Sequence, residues 1–375
     1  LLHCVPTNMH LAPQSNVNVS THRINMTLSF TLPQECPPSI VSIVVKFGRG
    51  HDDQVYQTTT PDETIQFTFA TYIRSYQSSW IYHVILPELL AGGQGYWYQM
   101  EMQQNDTQDA ATTCTDRMDF TTPPLPMETV SIALIADWGG SIEAINTMQG
   151  MMTNNISLVV IAGDISYANA HLPGWEEWLS KMQPLLAHIP FLVAAVNHEI
   201  ECNRQTWQVF QAYESYFRNP NRIAPPHLEP IPQQWTDCTH PAEFWTTYWY
   251  GNSFYSYRHG LLQIIVLNSY TDTSPQSVQY QWLETELQQV NRTLTPWVLV
   301  VFHCPFHTTF RGHNGKVIEN PPKNIYHDTF WYRHEQNLNR LFLSLSLSLS
   351  LSCCTLDEEN PRRMMASMEP LLVQH

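Results

Sequence analysis

Apolar and polar positions alternate in short bursts through the first third of the chain. "NMTLSFTL", "SIVSIVVKFG", "TIQFTFATY", "SSWIYHVIL" and "GYWYQMEMQ" are β-branched or aromatic and partly alternating, as half-buried strands are. The turn formers "PQECPP", "TPDE" and "AGGQG" separate them. This pattern predicts an antiparallel β-sandwich over residues 1–127, ending in the stiff proline-rich linker "TTPPLP" at 121–126.

Beyond the linker the pattern changes. "VSIALIAD", "SLVVIAGD", "PFLVAAVNH", "LLQIIVLNS" and "PWVLVVFH" are continuous apolar runs, as in strands covered on both faces. Between them, "SIEAINTMQGMMTN", "GWEEWLSKMQPLL" and "SVQYQWLETELQQVNR" have helical spacing. Strands alternating with helices predict an α/β domain over 128–375, with a mainly parallel or mixed sheet covered by helices.

Four of the apolar runs end in a polar residue: Asp137, Asp164, Asn197 and His303. In open α/β sheets ligands bind at the carboxyl ends of strands, so these donors would meet on one rim. Each has an ordinary structural reading: Asp137 as a helix N-cap near Ser141, Asn197 as a turn residue, His303 as a core histidine. Four together are better explained as metal ligands. Carboxylates, an amide oxygen, an imidazole and the nearby phenol of Tyr167 suit hard or borderline cations. Asp164 is placed to bridge two ions, and a tyrosine ligand favours Fe(III).

Composition narrows the class of protein. A net charge of −15 disfavours nucleic acid and anionic membranes as main partners, and no apolar run is long enough to span a bilayer. Eight cysteines form no Cys-x-x-Cys pair, which argues against a zinc ribbon. Sequons at Asn18, Asn25, Asn105, Asn155 and Asn291, with scattered cysteines, point to a secreted or vacuolar glycoprotein. Cys202 with Cys238, and Cys36 with Cys114, are the pairings to look for, while Cys304 reads as a buried thiol.

The segments "ADWGG", "GDISYAN", "VNHEIE" and "VVFHCPFH" resemble four of the five metal motifs of the purple acid phosphatases, binuclear metallophosphoesterases. "SSWIYHVILPELLAGGQGYWYQM" resembles that family's N-terminal fibronectin-like domain. The resemblance implies an α-β-β-α phosphoesterase domain behind the sandwich. It implies Asp137 and Tyr167 on Fe(III), Asp164 bridging, and Asn197 and His303 on a divalent Zn, Fe or Mn. His198 would face the substrate phosphate, with His313 of "FRGHNG" as the second catalytic histidine, ahead of His307. Glu199 would either cap a helix or support the ligands. The implied reaction is hydrolysis of phosphate monoesters at acidic pH by a metal-bound hydroxide. The implied substrates are small phosphomonoesters, and a homodimer is the association to look for.

The chain departs from the family pattern in two places. Val196 stands where the third motif normally begins with glycine, which predicts a strained turn at Asn197 and His198. No two histidines are separated by a single residue, so the fifth motif, Gly-His-x-His, is absent and five of seven implied ligands remain. Instead "LFLSLSLSLSLSCC" occupies 341–354 and reads as an interrupting low-complexity repeat, followed by a truncated end. The expectation is weak iron binding and near-background activity, unless His307 or His327 completes the site. The alternatives are a non-catalytic secreted glycoprotein with a decayed phosphatase domain, and a phosphodiesterase or nucleotide pyrophosphatase of the same fold.

Overall fold

The computed structural model describes residues 4–50, 56–71, 74–105, 112–223 and 248–303. The first part holds β1 (Thr7–Pro13), β2 (Arg23–Leu32), β3 (Val41–Arg49), β4 (Gln57–Thr59), β5 (Glu63–Ile65) and β6 (Thr68–Ala70). It continues with β7 (Ser75–Gln77), β8 (Trp80–Leu90), β9 (Gly95–Gln104), β10 (Thr113–Cys114) and β11 (Met118–Thr121). One antiparallel sheet runs β1-β2-β8-β5, and a second runs β10-β9-β3-β4 with β11 also on β9. Between them lie Met26, Leu28 and Phe30 of β2, Val45 and Phe47 of β3, and Tyr98 and Met100 of β9, all buried. Each such side chain contributes about 1.5–3 kcal/mol of transfer free energy.

The first sheet is covered on its other face too. Thr27, Ser29, Thr31 and His83 are buried, so the alternation continues but its polar side also leaves water. The domain that follows provides the cover. His83 Nε2 donates to the Ser215 carbonyl at 2.9 Å and its Nδ1 accepts from the Ser29 hydroxyl at 2.7 Å. Glu176 receives the Ser79 hydroxyl at 2.8 Å and the Tyr216 hydroxyl at 2.9 Å. Arg218 reaches Glu63 at 2.8 Å. Buried polar groups of this kind are tolerated because each has a partner.

"TIQFTFATY" is not one strand. It divides into β5, which pairs with β8, and β6, which pairs with β7. The break carries Phe67 and Phe69 out of the sandwich and into the core of the following domain.

Among the described residues, that domain contains two sheets. β12 (Ile132–Ile135), β13 (Leu158–Ile161) and β14 (Phe191–Val193) are parallel in that order. β15 (Tyr255–His259) is antiparallel to β16 (Leu262–Val266), which is parallel to β17 (Trp297–Val301). The helices are α1 (Ile142–Met152), α2 (Pro173–Leu186), α3 (Gln211–Tyr216) and α4 (Val278–Gln289). Ile264, Val266, Leu299 and Val301 join the core that includes the first sheet and α2. Their neighbours Ile265, Leu267 and Val300 pack instead on Leu283 and Leu287 of α4. The period-two alternation of β16 and β17 thus fills both sides of that sheet, which gives the layered α-β-β-α arrangement. Ser141 caps α1, accepting from Ala144 N at 3.3 Å, so Asp137 is not the cap.

One cysteine expectation is corrected. Cys36 pairs with Cys4, and Cys114 is free and exposed. β1 lies beside β2 and brings Cys4 to the turn holding Cys36, whereas Cys114 sits on β10 in the other sheet. Cys202 is disulfide-bonded, but its expected partner Cys238 lies outside the described residues, as do Cys304, His307, His313, His327 and the 341–354 repeat.

Candidate metal centre

Three parallel strands deliver their last residues to one rim. β12 is followed by Asp137, β13 by Gly163 and Asp164, and β14 by Val196 and Asn197. The ladder continues past the strands: Asp137 N donates to Gly163 O at 3.1 Å, Trp138 N to Asp164 O at 3.1 Å, and Gly139 N to Ile165 O at 2.9 Å. Asp137, Asp164 and Tyr167 all have φ near +50°, as do Asn169 (+47°) and, further out, Ala170 (+65°). Left-handed backbone is uncommon outside glycine, and its concentration here marks a loop whose conformation is held by its surroundings.

Two buried carboxylates do the holding. Glu199 accepts from Asp164 N at 3.1 Å and Ile165 N at 2.8 Å. Glu201 accepts from Ala170 N at 3.0 Å and the Trp175 indole at 2.9 Å. Neither is exposed to solvent. Burial, reinforced by the charge of Asp164, raises the Glu199 carboxyl well above its usual range; burial raises that of Glu201 to about 7. The segment "HEIE" therefore clamps both ends of the loop carrying Asp164 and Tyr167. Of the two readings of Glu199, support of the ligand loop fits these contacts.

Asp137, Asp164 and His303 each offer a ligand atom, and these atoms lie within 4.8 Å of one another. The His303 Nδ1–H donates to the Ala162 carbonyl at 3.1 Å, which turns Nε2 toward Asp164 Oδ2 at 3.4 Å. Orientation of a ligand imidazole by a backbone carbonyl is the usual arrangement in metal sites. Burial lowers the His303 pKa, but Asp164, Asp137 and Glu199 outweigh it and raise it to about 9. Burial pushes Asp164 up, and His303 overrides this and holds it below the ordinary carboxylate range. Asp137 is raised, chiefly by burial. The cluster thus favours a positive charge at its centre.

Tyr167 donates its hydroxyl to Asp137 Oδ1 at 2.9 Å. Burial and the two aspartates raise its pKa far above the normal phenol value, so only a strongly charged cation would displace that proton. The Asn197 Oδ1 atom is buried and accepts no hydrogen bond. A buried amide oxygen without a donor costs about 1–3 kcal/mol. A cation beside it removes that cost. Orphaned amide, clustered carboxylates, oriented imidazole and phenol fit a dinuclear site of hard and borderline metals.

His198 lies beside this cluster. Its Nδ1–H donates to Asn169 Oδ1 at 2.7 Å, its ring packs on Tyr167 at 4.3 Å between centroids, and Nε2 is 3.7 Å from Asp164 Oδ2. Asn169 and Glu201 were not singled out from sequence. The available signal was an acidic residue recurring at every second position in an otherwise apolar stretch, "HEIEC".

Val196 does not strain the turn. Its backbone is extended, at φ −143° and ψ −169°. The constraint falls on Gly163, at φ +97°, where an added Cβ would collide with the Val196 methyl groups. Glycine's role is filled one strand over, and the valine occupies the space it leaves.

A calcineurin-like phosphoesterase profile matches residues 130–329, more than half of the chain. Purple acid phosphatase 22 of Arabidopsis thaliana is 32% identical over 199 residues, covering 52% of this chain and 40% of the relative. A phosphoenolpyruvate phosphatase of Allium cepa is 28% identical over 283 residues, covering 73% and 52%. The purple acid phosphatase PPD1 from yellow lupin superposes with a TM-score of 0.68 at 15% identity, covering 92% of this chain and 57% of that one, a likeness of fold. The chain spans about half the length of the curated relatives it matches. Sequence profile, relatives and fold agree that the chain belongs to the calcineurin-like phosphoesterases and, within them, to the purple acid phosphatase family.

Proposed function

We propose that the protein hydrolyses phosphate monoesters at acidic pH, using Fe(III) and a divalent Zn, Fe or Mn. The observation that carries this reading is the Asp137–Asp164–His303 cluster, with the buried, unpartnered Asn197 Oδ1 following the neighbouring strand β14. Asp137 and Tyr167 would hold the ferric position, Asn197 and His303 the divalent one, and Asp164 both. Such a pair, when bound, supplies Lewis-acid charge neutralisation and a water of lowered pKa.

The protein's own groups do the rest. His198, held through Nδ1 by Asn169, presents Nε2 on the side of Asp164 where a phosphoryl oxygen would lie. Protonated at acidic pH, it donates to the charge that develops in the transition state. His313 is assigned as a second donor to the leaving oxygen. The Gly-His-x-His pair is not among the 375 residues. Small monoesters are the proposed substrates, an enol phosphate being one the onion relative suggests by its name. The five sequons and the Cys4–Cys36 bond support a secreted or vacuolar glycoprotein.

The test uses iron-loaded protein, an aryl phosphate near pH 5 and a visible spectrum. A charge-transfer band that Tyr167→Phe abolishes, together with acid hydrolysis, is the expected result. Stoichiometric iron with no such band would remove Tyr167 from the ligand set. Absence of both iron and hydrolysis would favour the decayed, non-catalytic reading for this chain.

A further inference from the structure

We propose that a cavity between α4 and β15 binds a sugar acid, a hexuronate held by its carboxylate on Arg258. The cavity has a volume of about 400 Å³, within the ~300–1,000 Å³ range of small-molecule sites. It shares no residue with the Asp137–Asp164–His303 cluster.

The cavity follows from where α4 lies on its sheet. Leu283 and Leu287 close the helix on Ile265, Leu267 and Val300. Among the described residues β15 is the outer strand, and there the same face of the sheet turns polar. Three contacts show which side chains point at α4. The Phe254 ring meets the Trp282 ring with centroids 4.9 Å apart, the Ser256 hydroxyl donates to Glu286 Oε1 at 2.6 Å, and Gln263 Nε2 donates to the same oxygen at 3.3 Å. Arg258 is two residues beyond Ser256 and directly opposite Gln263 in the β15–β16 register, so the pleat sets its side chain on this face too. All six residues line the cavity.

The strand does not need the Arg258 side chain. Its outer edge is capped by amides: Arg258 N donates to Asn16 Oδ1 at 2.7 Å, and Asn221 Nδ2 donates to the Ser256 carbonyl at 3.1 Å. Among the described residues the half-buried guanidinium of Arg258 has neither a hydrogen bond nor an ion pair. A guanidinium so placed points to an anion, and its planar fork matches a carboxylate. Glu286 in the opposite wall disfavours a doubly charged anion such as phosphate and accepts from hydroxyl groups. The Trp282 indole offers an apolar wall to the C–H face of a pyranose. One carboxylate, several hydroxyls and one apolar face together describe a hexuronate.

The experiment titrates the full chain by calorimetry with D-glucuronate and D-galacturonate, and with glucose, galactose and inorganic phosphate as controls. A hexuronate should bind at least ~10-fold tighter than its neutral hexose, the difference made by one charged hydrogen-bonded pair. Arg258→Gln should bring the acid down to the level of the hexose. Arg258→Lys, which keeps the charge without the fork, should fall between, and Trp282→Ala should weaken acid and hexose alike. The contrast between acid and hexose is read on the unaltered protein, so it stands if a variant fails to fold. Digalacturonate tells a free acid from the end of an acidic polysaccharide: equal binding supports the first, tighter binding the second, both within the proposal. Hexoses that bind as well as the acids, or no binding of either acid, overturn it. So does a hexuronate that binds Arg258→Gln undiminished, which places it elsewhere, or one that inorganic phosphate displaces.

Discussion

The β-sandwich and the rim at Asp137 and Asp164 are both built on buried strands but distribute backbone strain and charge differently. In the sandwich, buried Ser29 and His83 find partners while Asn8 Oδ1 and the Tyr82 hydroxyl have none, and the left-handed non-glycine residues among those described are scattered: Asn8, His22, Glu88 and Met127. On the rim, four of the seven residues from 164 to 170 are left-handed, Asn197 Oδ1 is left without a donor, and Asp137 and Asp164 face each other. The sandwich spreads its costs over distant positions, whereas the rim concentrates them in one loop held by two buried glutamates.

That contrast should break first at the bridge. Asp164→Asn should lower activity by at least ~10²-fold and release metal, while far-UV circular dichroism and the sandwich stay intact. Retention of both metals by this variant would count against Asp164 as the shared ligand, and a loss no larger than that of His313→Ala would say the same. Glu199→Gln should follow, at about 10–100-fold in metal affinity. Its new amide N–H would oppose the backbone N–H groups of Asp164 and Ile165, which Glu199 now receives. Metal titration by calorimetry reads this directly, and unchanged affinity would return Glu199 to a packing role.

Leu28→Ala in the sandwich should cost about 2–5 kcal/mol of stability, because Leu28 is fully buried, with no change in metal per folded chain. A parallel loss of metal would show that the two regions are not separable. The smallest effect concerns His259, whose pKa burial lowers to about 3. The unfolded chain takes up its proton near pH 6.5 and the folded chain does not, so stability falls as pH drops from about 6.5 toward 3. His259→Leu should flatten the Tm–pH curve between pH 6.5 and 4.5, and an unchanged slope would mean that other groups dominate acid unfolding.

The clustering of Asp137, Asp164 and His303 could be anticipated from sequence because its signal is local: a run such as "SLVVIAGD" must be buried, and an acid at its end stands on the rim. Glu201 and Asn169 could not, since their roles arise only when the 164–170 loop folds over them. β1 escaped notice for a related reason. "TNMHLAP" carries Thr7, Asn8 and His10 on a strand buried against a second domain, so no clean apolar alternation marks it. Missing β1 also hid the Cys4–Cys36 bond. The strain expected at Val196 failed because it considered one residue, whereas the backbone demand had been passed to Gly163 on the neighbouring strand.

The three backbone hydrogen bonds linking residues 137–139 to 163–165 have a metrological consequence. They extend the parallel ladder of β12 and β13 to the two aspartates themselves. Asp137 is therefore opposite Gly163 and Asp164 opposite Trp138, so the two aspartates stand on neighbouring strands, about 4.7–4.9 Å apart in any sheet, one residue out of step. Loop insertions in the stretches between these strands leave that gauge untouched. A change in the spacing of the two aspartates would require the ladder between 137–139 and 163–165 to open, so their separation is set by the sheet and not by the loops that follow it.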